Sequence, residues 1–534
     1  MNFMAEQRIV IRGGKRLEGE IAVQGAKNSA LPLLSAAVLC DGETVLHNCP
    51  RLTDCDAACR ILECLGCKCR REQGTLCVSA AQMNSTDVPA SLMREMRSSI
   101  IFLGAILSRC HRCRLSFPGG CELGPRPIDF HLAALREMGA EITEEHGYLD
   151  CRAKNGLHGA RITFSFSSVG ATENIMLAAT LAKGVTEIHN AAREPEIVDL
   201  AAFINRCGGK VEGAGSGFIR VTGVEKLHGC EFRVMTDRIA AATYLCCAAI
   251  TGGELVLTKV NHTDLTPVIH VLKEMGASVY AYGEDSVYIN ARKPLSSPGT
   301  VRTGVHPGFP TDAQPPLMAL CCAVKGTAVF VENIFENRFK HAGELTRLGA
   351  RISVEGKVAV VTGVKSLSGA ELEAPDLRGG AALITAGLFA DGVTKIQIPT
   401  WKSFSELAAK VELLNADVTA IKALVEAWNQ NDYVKSVTPL TDGSGYVLEF
   451  VKSGKVTIYH GQDGSDGKDG HSPVVSVRQD IDGVWYWTID GEWLFDGNGN
   501  KVVAVGKDGT PGANGITPKF KIDEGFWYVS YDNG

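Results

Sequence analysis

The chemistry in this chain gathers first in one short stretch, FPGGCELGPRPID, from Phe117 to Asp129. Three glycines and three prolines in thirteen residues leave little room for helix or central strand, so the stretch reads as a shaped surface loop. It holds one thiol, Cys121, one guanidinium, Arg126, and one carboxylate able to bind a polar ligand, Asp129. A thiol kept near arginines ionises readily and can act as nucleophile or proton donor. The plainer reading of the loop alone is a turn with an incidental cysteine.

Other stretches are weaker signals. SVGAT, from Ser168, could start a helix whose backbone N–H groups face a diphosphate. Cys64-x2-Cys67-x-Cys69, with Cys55 and Cys59 before it, has thiols at zinc-like spacing. No suitably spaced second Cys/His pair follows, so scattered thiols are the better reading and no metal is expected. There is no nicotinamide fingerprint and no Walker loop.

The elements that must position these groups repeat. One phrase ends a helix and begins a strand: LECLGCKC from Leu62, LREMGAEI from Leu135, INRCGGKV from Ile204, LKEMGASV from Leu272 and LTRLGARI from Leu345. Its glycines, Gly66, Gly139, Gly208, Gly276 and Gly349, are spaced by 73, 69, 68 and 73 residues. Glycine there suits the position just past a helix end. A second phrase, a small-residue apolar helix with a turn and a strand, starts at Asn28, Ala171, Asp237, Asp312 and Asp376, with a looser copy from Met96 to Leu115. Helices apolar all round are buried on every side. Six such units suit two domains of three units each.

Composition sets the class. At 534 residues several domains are expected, and 45% hydrophobic content is ample for their cores. A net charge of −6 gives no nucleic-acid footprint. No apolar run reaches the length of a membrane span, and MNFMAEQR lacks the apolar core of a secretory signal, so a cytoplasmic location is expected. All eighteen cysteines lie between Cys40 and Cys322 and read as reduced cytosolic thiols, while all six tryptophans lie after residue 400. Two composition switches mark a join near residue 400 between two unrelated pieces.

From about Arg8 to Gln397 the chain resembles the UDP-N-acetylglucosamine 1-carboxyvinyltransferase family of enolpyruvyl transferases. The resemblance rests on QGAKNSALP at Gln24, the PGGC loop, SVGATEN at Ser168, REPEIVD at Arg193, FPTDAQ at Phe309, IFENRF at Ile334 and DLRGG at Asp376. It implies an α/β fold: a two-domain inside-out α/β barrel of six repeated units, the sixth incomplete. One domain would join residues 1–27 to 236–397, and the other would span 28–235 and carry the cysteine loop. The chain would cross between them near Asn28 and Met235.

The implied reaction moves the enolpyruvyl group of phosphoenolpyruvate onto the 3-hydroxyl of UDP-N-acetylglucosamine, through a tetrahedral ketal, with loss of phosphate. Lys27, Arg126 and Arg378 match the family's phosphoenolpyruvate ligands; guanidinium forks and a lysine point charge suit its phosphate and carboxylate. Cys121 matches the acid and the thiol alkylated by the epoxide antibiotic fosfomycin. Asp312 matches the carboxylate that takes the sugar hydroxyl proton; its plainer reading is a helix N-cap ahead of AQPPLMAL. Catalysis is thus assigned to Cys121, Asp312 and Lys27. Asn28, Arg97, Arg126, Pro127, Asp129, Ser168, Val169, Gly170, Asp312 and Ile334 match positions that hold the nucleotide sugar. No cofactor or metal is implied.

In the family, an arginine-bearing turn and a final helix should follow Gln397. Here Leu407, Val411, Leu414, Val418, Ile421, Val425 and Trp428 recur four and three apart, the pattern of a coiled coil over 403–430, which would make the chain a homo-oligomer. A rival reading lays KSFSELAAKVELLNADV over the missing end, with Lys402 near the absent arginine. Residues 431–534 read as a β-rich repeat module, a Gly-rich β-hairpin tail with collagen-like Gly-x-y pieces at Gly461 and Gly506. The stretch from about Ser403 resembles coiled-coil-plus-hairpin modules of unknown function in surface proteins of Bacteroidetes. Its aromatics could bind glycans, though strand-pair packing is the commoner use. The competing functional reading is therefore a catalytically impaired fusion or truncated chain, acting as a self-associating or glycan-binding module.

Overall fold

The computed structural model describes residues 8–117, 128–145 and 147–398, and, further on, 434–440, 445–450, 454–459, 475–481, 485–489, 492–493, 501, 503–505, 519–523 and 526–530. Cys121, Arg126, Pro127, Lys402, the 403–430 heptads and the Gly-x-y pieces lie outside the described residues. Two compact units divide the chain, Met1–Leu414 and Asn415–Gly534.

The first unit contains twelve α-helices among its described residues: α1 (Lys27–Ala36), α2 (Thr53–Cys64), α3 (Ala90–Met93), α4 (Phe102–Cys110), α5 (Asp129–Glu137), α6 (Val169–Thr180), α7 (Pro195–Arg206), α8 (Arg238–Ile250), α9 (Thr266–Glu274), α10 (Gln314–Cys322), α11 (His341–Arg347) and α12 (Leu377–Phe389). Helices α1, α4, α6, α8, α10 and α12 are the small-residue apolar ones. They are interior: in α8 every residue from Ile239 to Ile250 is buried. Their small side chains allow close approach. A Cβ built at Gly104 of α4 would fall 2.2 Å from the Asn174 carbonyl oxygen of α6, so any side chain there would push the two apart.

Helices α2, α5, α7, α9 and α11 bury one face and end alike. Gly66, Gly139, Gly208, Gly276 and Gly349 take φ of 92°, 91°, 96°, 103° and 96°. The next residue donates its N–H five residues back: Cys67 to Leu62 (2.9 Å), Ala140 to Leu135 (3.0 Å), Gly209 to Ile204 (2.9 Å), Ala277 to Leu272 (3.0 Å) and Ala350 to Leu345 (3.2 Å). This left-handed cap satisfies carbonyls the helix leaves open and turns the chain into the next strand.

Four of the interior helices, α4, α6, α10 and α12, join two parallel strands of one sheet, as Thr300–Arg302 and Thr327–Val331 flank α10. Two antiparallel strands, here Val358–Thr362 and Arg351–Glu355, complete the sheet. Two units are completed by distant chain. Glu231–Arg233 lies parallel to Glu43–His47, and Glu18–Ala22 lies parallel to Glu254–Thr258. Residues 24–26 and 235–237 therefore run side by side between these two sheets. Ala26 donates to the Met235 carbonyl at 2.7 Å, and Asp237 to the Gln24 carbonyl at 2.9 Å. One hydrophobic core draws on residues from Ala30 to Val234, the other on Ile9 to Val23 and Ala240 to Ile398. In the last sheet Arg8–Arg12 pairs antiparallel with Val393–Gln397, which pairs parallel with Glu371–Glu373; among the described residues it has three strands.

The second unit consists, in its described residues, of antiparallel strands. Val434–Pro439, Gly445–Phe450 and Gly454–Tyr459 form one sheet. Val475–Gln479 pairs with Trp485–Ile489, which also meets Glu492–Trp493 and Val503–Val505. Lys519–Asp523 and Phe526–Ser530 form a hairpin.

Candidate active site

Asp312 is the centre of a buried charge cluster. It lies just ahead of α10, in a turn held from below by Glu332. Thr311 donates its hydroxyl to both Glu332 oxygens, at 3.1 and 3.0 Å, and the same carboxylate accepts from the backbone of Ile334 (2.8 Å) and Phe335 (3.0 Å). This ties the FPTD turn to the IFENRF turn and sets Ile334 beside it. Arg338, a fully buried guanidinium, donates through Nε and Nη2 to the Thr311 carbonyl at 3.1 and 3.0 Å, and through Nη2 to Asp312 Oδ1. Its Cζ stands 5.3 Å from the centre of the Phe335 ring.

The second oxygen of Asp312 accepts from Arg378 Nη2 at 3.2 Å. Arg378 is placed by the cap of its own helix: Asp376 Oδ1 accepts from the N–H groups of Arg378 (2.8 Å) and Gly379 (2.9 Å) at the start of α12. Burial works against the charge on Arg378, but Asp312, Asp237 and Asp376 outweigh it and hold its pKa above the ordinary value. The N-cap reading of Asp312 is corrected here. Helix α10 begins at Gln314, its cap residue is Ala313, and no side chain caps it. The Asp312 carboxylate is drawn to the two arginines instead.

Several polar atoms in this cluster have no hydrogen-bond partner among the described residues: Arg338 Nη1, Asp376 Oδ2 and His341 Nε2. A buried polar atom left unpaired is costly. Burial pushes His341 down to about 4, against the pull of Asp376, so near neutral pH it offers an uncharged imidazole.

Lys27 opens α1, and its Nζ lies 2.8 Å from Asp54 Oδ2 of α2; both side chains are about one-fifth exposed (19% and 22%). Asn28, next along, is half-buried. The remaining candidates assemble around His131 of α5. This imidazole is buried and accepts or donates at 2.9 Å with Asn174 of α6. Burial depresses its pKa to about 4, Asp129 opposes that, and Arg97 adds to it, so both lie within its field. A Cβ at Gly170 would come 3.5 Å from the His131 ring. Arg97, Asp129 and the Ser168–Val169–Gly170 start of α6 are thus brought together. Ser168 uses its own hydroxyl as cap, accepting from Ala171 N at 3.4 Å, so the first turn of α6 is partly satisfied from within.

Sequence reasoning assigned no role to Arg338, Glu332, Asp54, His131 or the Glu196–Arg238 pair. Arg338 and Glu196 do sit inside the IFENRF and REPEIVD phrases. Glu196 of α7 and Arg238 of α8 are only 4% and 10% exposed and lie 3.0 Å apart, on helices whose apolar residues belong to the two different cores.

Repeated α/β units around two cores, with a carboxylate between two arginines, define an enolpyruvyl transferase. Residues 11–409 match the family model of EPSP synthase (3-phosphoshikimate 1-carboxyvinyltransferase), and residues 402–534 match that of a domain of unknown function. The chain belongs to the UDP-N-acetylglucosamine 1-carboxyvinyltransferase family of enolpyruvyl transferases. It is 46% identical over 413 residues to UDP-N-acetylglucosamine 1-carboxyvinyltransferase 2 of Caldanaerobacter subterraneus subsp. tengcongensis, covering 77% of this chain and 99% of that one. It is 47% identical over 424 residues to UDP-N-acetylglucosamine 1-carboxyvinyltransferase 1 of Symbiobacterium thermophilum, covering 78% and 95%. Among solved structures, the enolpyruvyl transferase NikO of Streptomyces tendae has the same fold, with a TM-score of 0.68 at 24% identity, over 76% of this chain and 97% of that one. EPSP synthase from Acinetobacter baumannii also shares it, with a TM-score of 0.59 at 22% identity, over 76% and 98%.

Proposed function

We propose that this chain transfers the enolpyruvyl group of phosphoenolpyruvate to the 3-hydroxyl of UDP-N-acetylglucosamine, releasing phosphate, in peptidoglycan synthesis. The observation that carries this reading is the Asp312 carboxylate held between Arg338 and Arg378, in a chain 46% identical to the Caldanaerobacter transferase over 99% of its length.

In this account Asp312 is the general base. In the free enzyme its Oδ2 is engaged by Arg378 at 3.2 Å. An anionic substrate competes for Arg378, releasing a carboxylate oxygen toward the sugar hydroxyl. The hydroxyl oxygen then adds to C2 of phosphoenolpyruvate while Cys121 protonates the methylene carbon, giving the ketal. Loss of a proton from the new methyl group and of phosphate restores the double bond. Arg126, Arg378 and Lys27 carry the phosphate and carboxylate charge through both steps. Asn28, Arg97, Pro127, Asp129, Ser168, Val169, Gly170 and Ile334 hold the nucleotide sugar.

We read the two cores as the inside-out halves of the fold, residues 1–27 with 236–397 and residues 28–235, closing on the substrate about the paired crossings at 24–26 and 235–237. The family model reaches residue 409, past Gln397, and the relatives are covered to 99% and 95% of their length, which supports laying the stretch from Lys402 over the end of the sixth unit. On the rival reading the heptads of 403–430 form a coiled coil instead, through which the chain would form a homo-oligomer. No helix of the described residues is long and apolar enough to cross a membrane, and a cytoplasmic enzyme fits a nucleotide-sugar substrate.

Fosfomycin tests the thiol assignment. We expect one adduct, on Cys121, absent from Cys121→Ala. A single adduct persisting on another thiol of that variant overturns the role given to the loop.

A further inference from the structure

The thiols of the 28–235 core are not evenly scattered. Cys207 Sγ donates to Cys230 Sγ across 3.1 Å. Cys207 is buried at the end of α7, its N–H bonded to the carbonyls of Phe203 (3.0 Å) and Ile204 (3.2 Å). Cys230 is half-buried and precedes the strand Glu231–Arg233. Cys40, also buried, lies within hydrogen-bonding reach of Cys207, on the short strand Cys40–Asp41 that pairs parallel with Leu227–His228. Three elements thus bring three thiols together, and one thiol has access to solvent. Among the described residues no His/Cys/Asp/Glu group is arranged to hold a metal ion.

Polarity within the pair is set by its neighbours. The hydrogen bond from Cys207 lowers the pKa of Cys230, burial opposes this, and the Arg206 guanidinium lowers it further. Cys207 is moved the other way, by its bonds to Cys230 and Cys40 and by burial. A half-buried thiol of lowered pKa in contact with a buried thiol of raised pKa is the arrangement of an attacking and a resolving cysteine.

We propose that Cys230 and Cys207 form a peroxide-sensitive dithiol, with Cys230 attacking and Cys207 resolving. The Cys230 thiolate attacks one oxygen of hydrogen peroxide; the O–O bond breaks, leaving a sulfenic acid, and the departing hydroxide takes a proton to become water. The Cys207 sulfur then attacks the Cys230 sulfur, the S–O bond breaks and a second water leaves. Two thiols have lost two electrons and the peroxide has gained them. Bond formation would shorten the sulfur–sulfur distance from 3.1 Å to about 2 Å.

The test uses the full chain, oxidised with graded hydrogen peroxide, alkylated and digested for mass spectrometry. A Cys207–Cys230 cross-linked peptide is expected at peroxide levels below those that oxidise the exposed Cys64, and dithiothreitol should reverse it. In Cys207→Ser, Cys230 should instead be trapped as a dimedone adduct. Both thiols remaining free once Cys64 is oxidised, or a Cys40–Cys207 link replacing the expected one, overturns the proposal.

Discussion

Arg238, the first residue of α8, closes a fork on Glu196 of α7: its Nε lies 3.0 and 3.2 Å from the two carboxylate oxygens, and its Nη2 3.1 Å from one of them. The two side chains are almost wholly buried, and the apolar residues of their helices belong to separate hydrophobic cores, so the pair bridges the two. Removing one partner strands a buried charge, whereas replacing both need not destabilise. Glu196→Ala should cost about 3–5 kcal/mol in denaturant unfolding, and Glu196→Leu with Arg238→Met appreciably less than either single change. Additive losses would contradict a coupled buried pair.

Asp312→Asn keeps the shape of the group between Arg338 and Arg378 and removes its basicity. The expected result is a fall of about 10²–10⁴ in kcat, with calorimetric affinity for UDP-N-acetylglucosamine reduced only about tenfold. Equal losses in both would assign Asp312 to binding alone.

Asp199 of α7 accepts from the Ser29 hydroxyl and from Met235 N at 3.2 Å, joining α7 to α1 and to the second crossing. Burial raises its pKa from 3.8 to about 6, although both hydrogen bonds pull it down. Because the folded state holds this proton more tightly than the unfolded one, its contribution is most favourable below pH 4. It is lost as the pH rises toward 6 and a little beyond, about 3 kcal/mol in all. Between pH 5 and 7 the parent chain should lose roughly 1 kcal/mol relative to Asp199→Asn. Parallel pH profiles for the two would show that the carboxyl titrates alike in both states.

At Gly349, φ is +96° and a Cβ would meet nothing within 4 Å, so Gly349→Ala isolates the backbone cost of the left-handed cap, about 1–2 kcal/mol. Gly139→Ala adds a collision, with the His158 ring 2.9 Å from the new Cβ, and should cost more. Matching losses in thermal unfolding would remove the packing component.

These glycines also show what the sequence makes legible. A cap needs only residues within one turn of itself, so five copies of one phrase announce five equivalent helix ends. Buried helices are equally plain, because Ile239 to Ile250 has no polar face to turn outward. Pairings across long separations leave no such trace. Asp312 and Arg378 stand 66 residues apart, and Glu196 and Arg238 stand 42 apart. Asp312 by itself reads as a cap, since Asp before a helix usually is one; the nearby guanidiniums decide otherwise. In the second unit, Trp493 carries Arg478 at 4.0 Å and Lys501 at 4.3 Å from its ring centre, so cations already cover an aromatic that composition alone leaves open to a glycan.

The measurement that bears most directly on the proposed transferase is phosphate release from phosphoenolpyruvate by the full chain, with and without UDP-N-acetylglucosamine. The account predicts release that depends on the sugar nucleotide and is lost in Asp312→Asn. No release, with the sugar nucleotide still bound in calorimetry, would contradict it and leave a chain that keeps the substrate half of the fold without its chemistry.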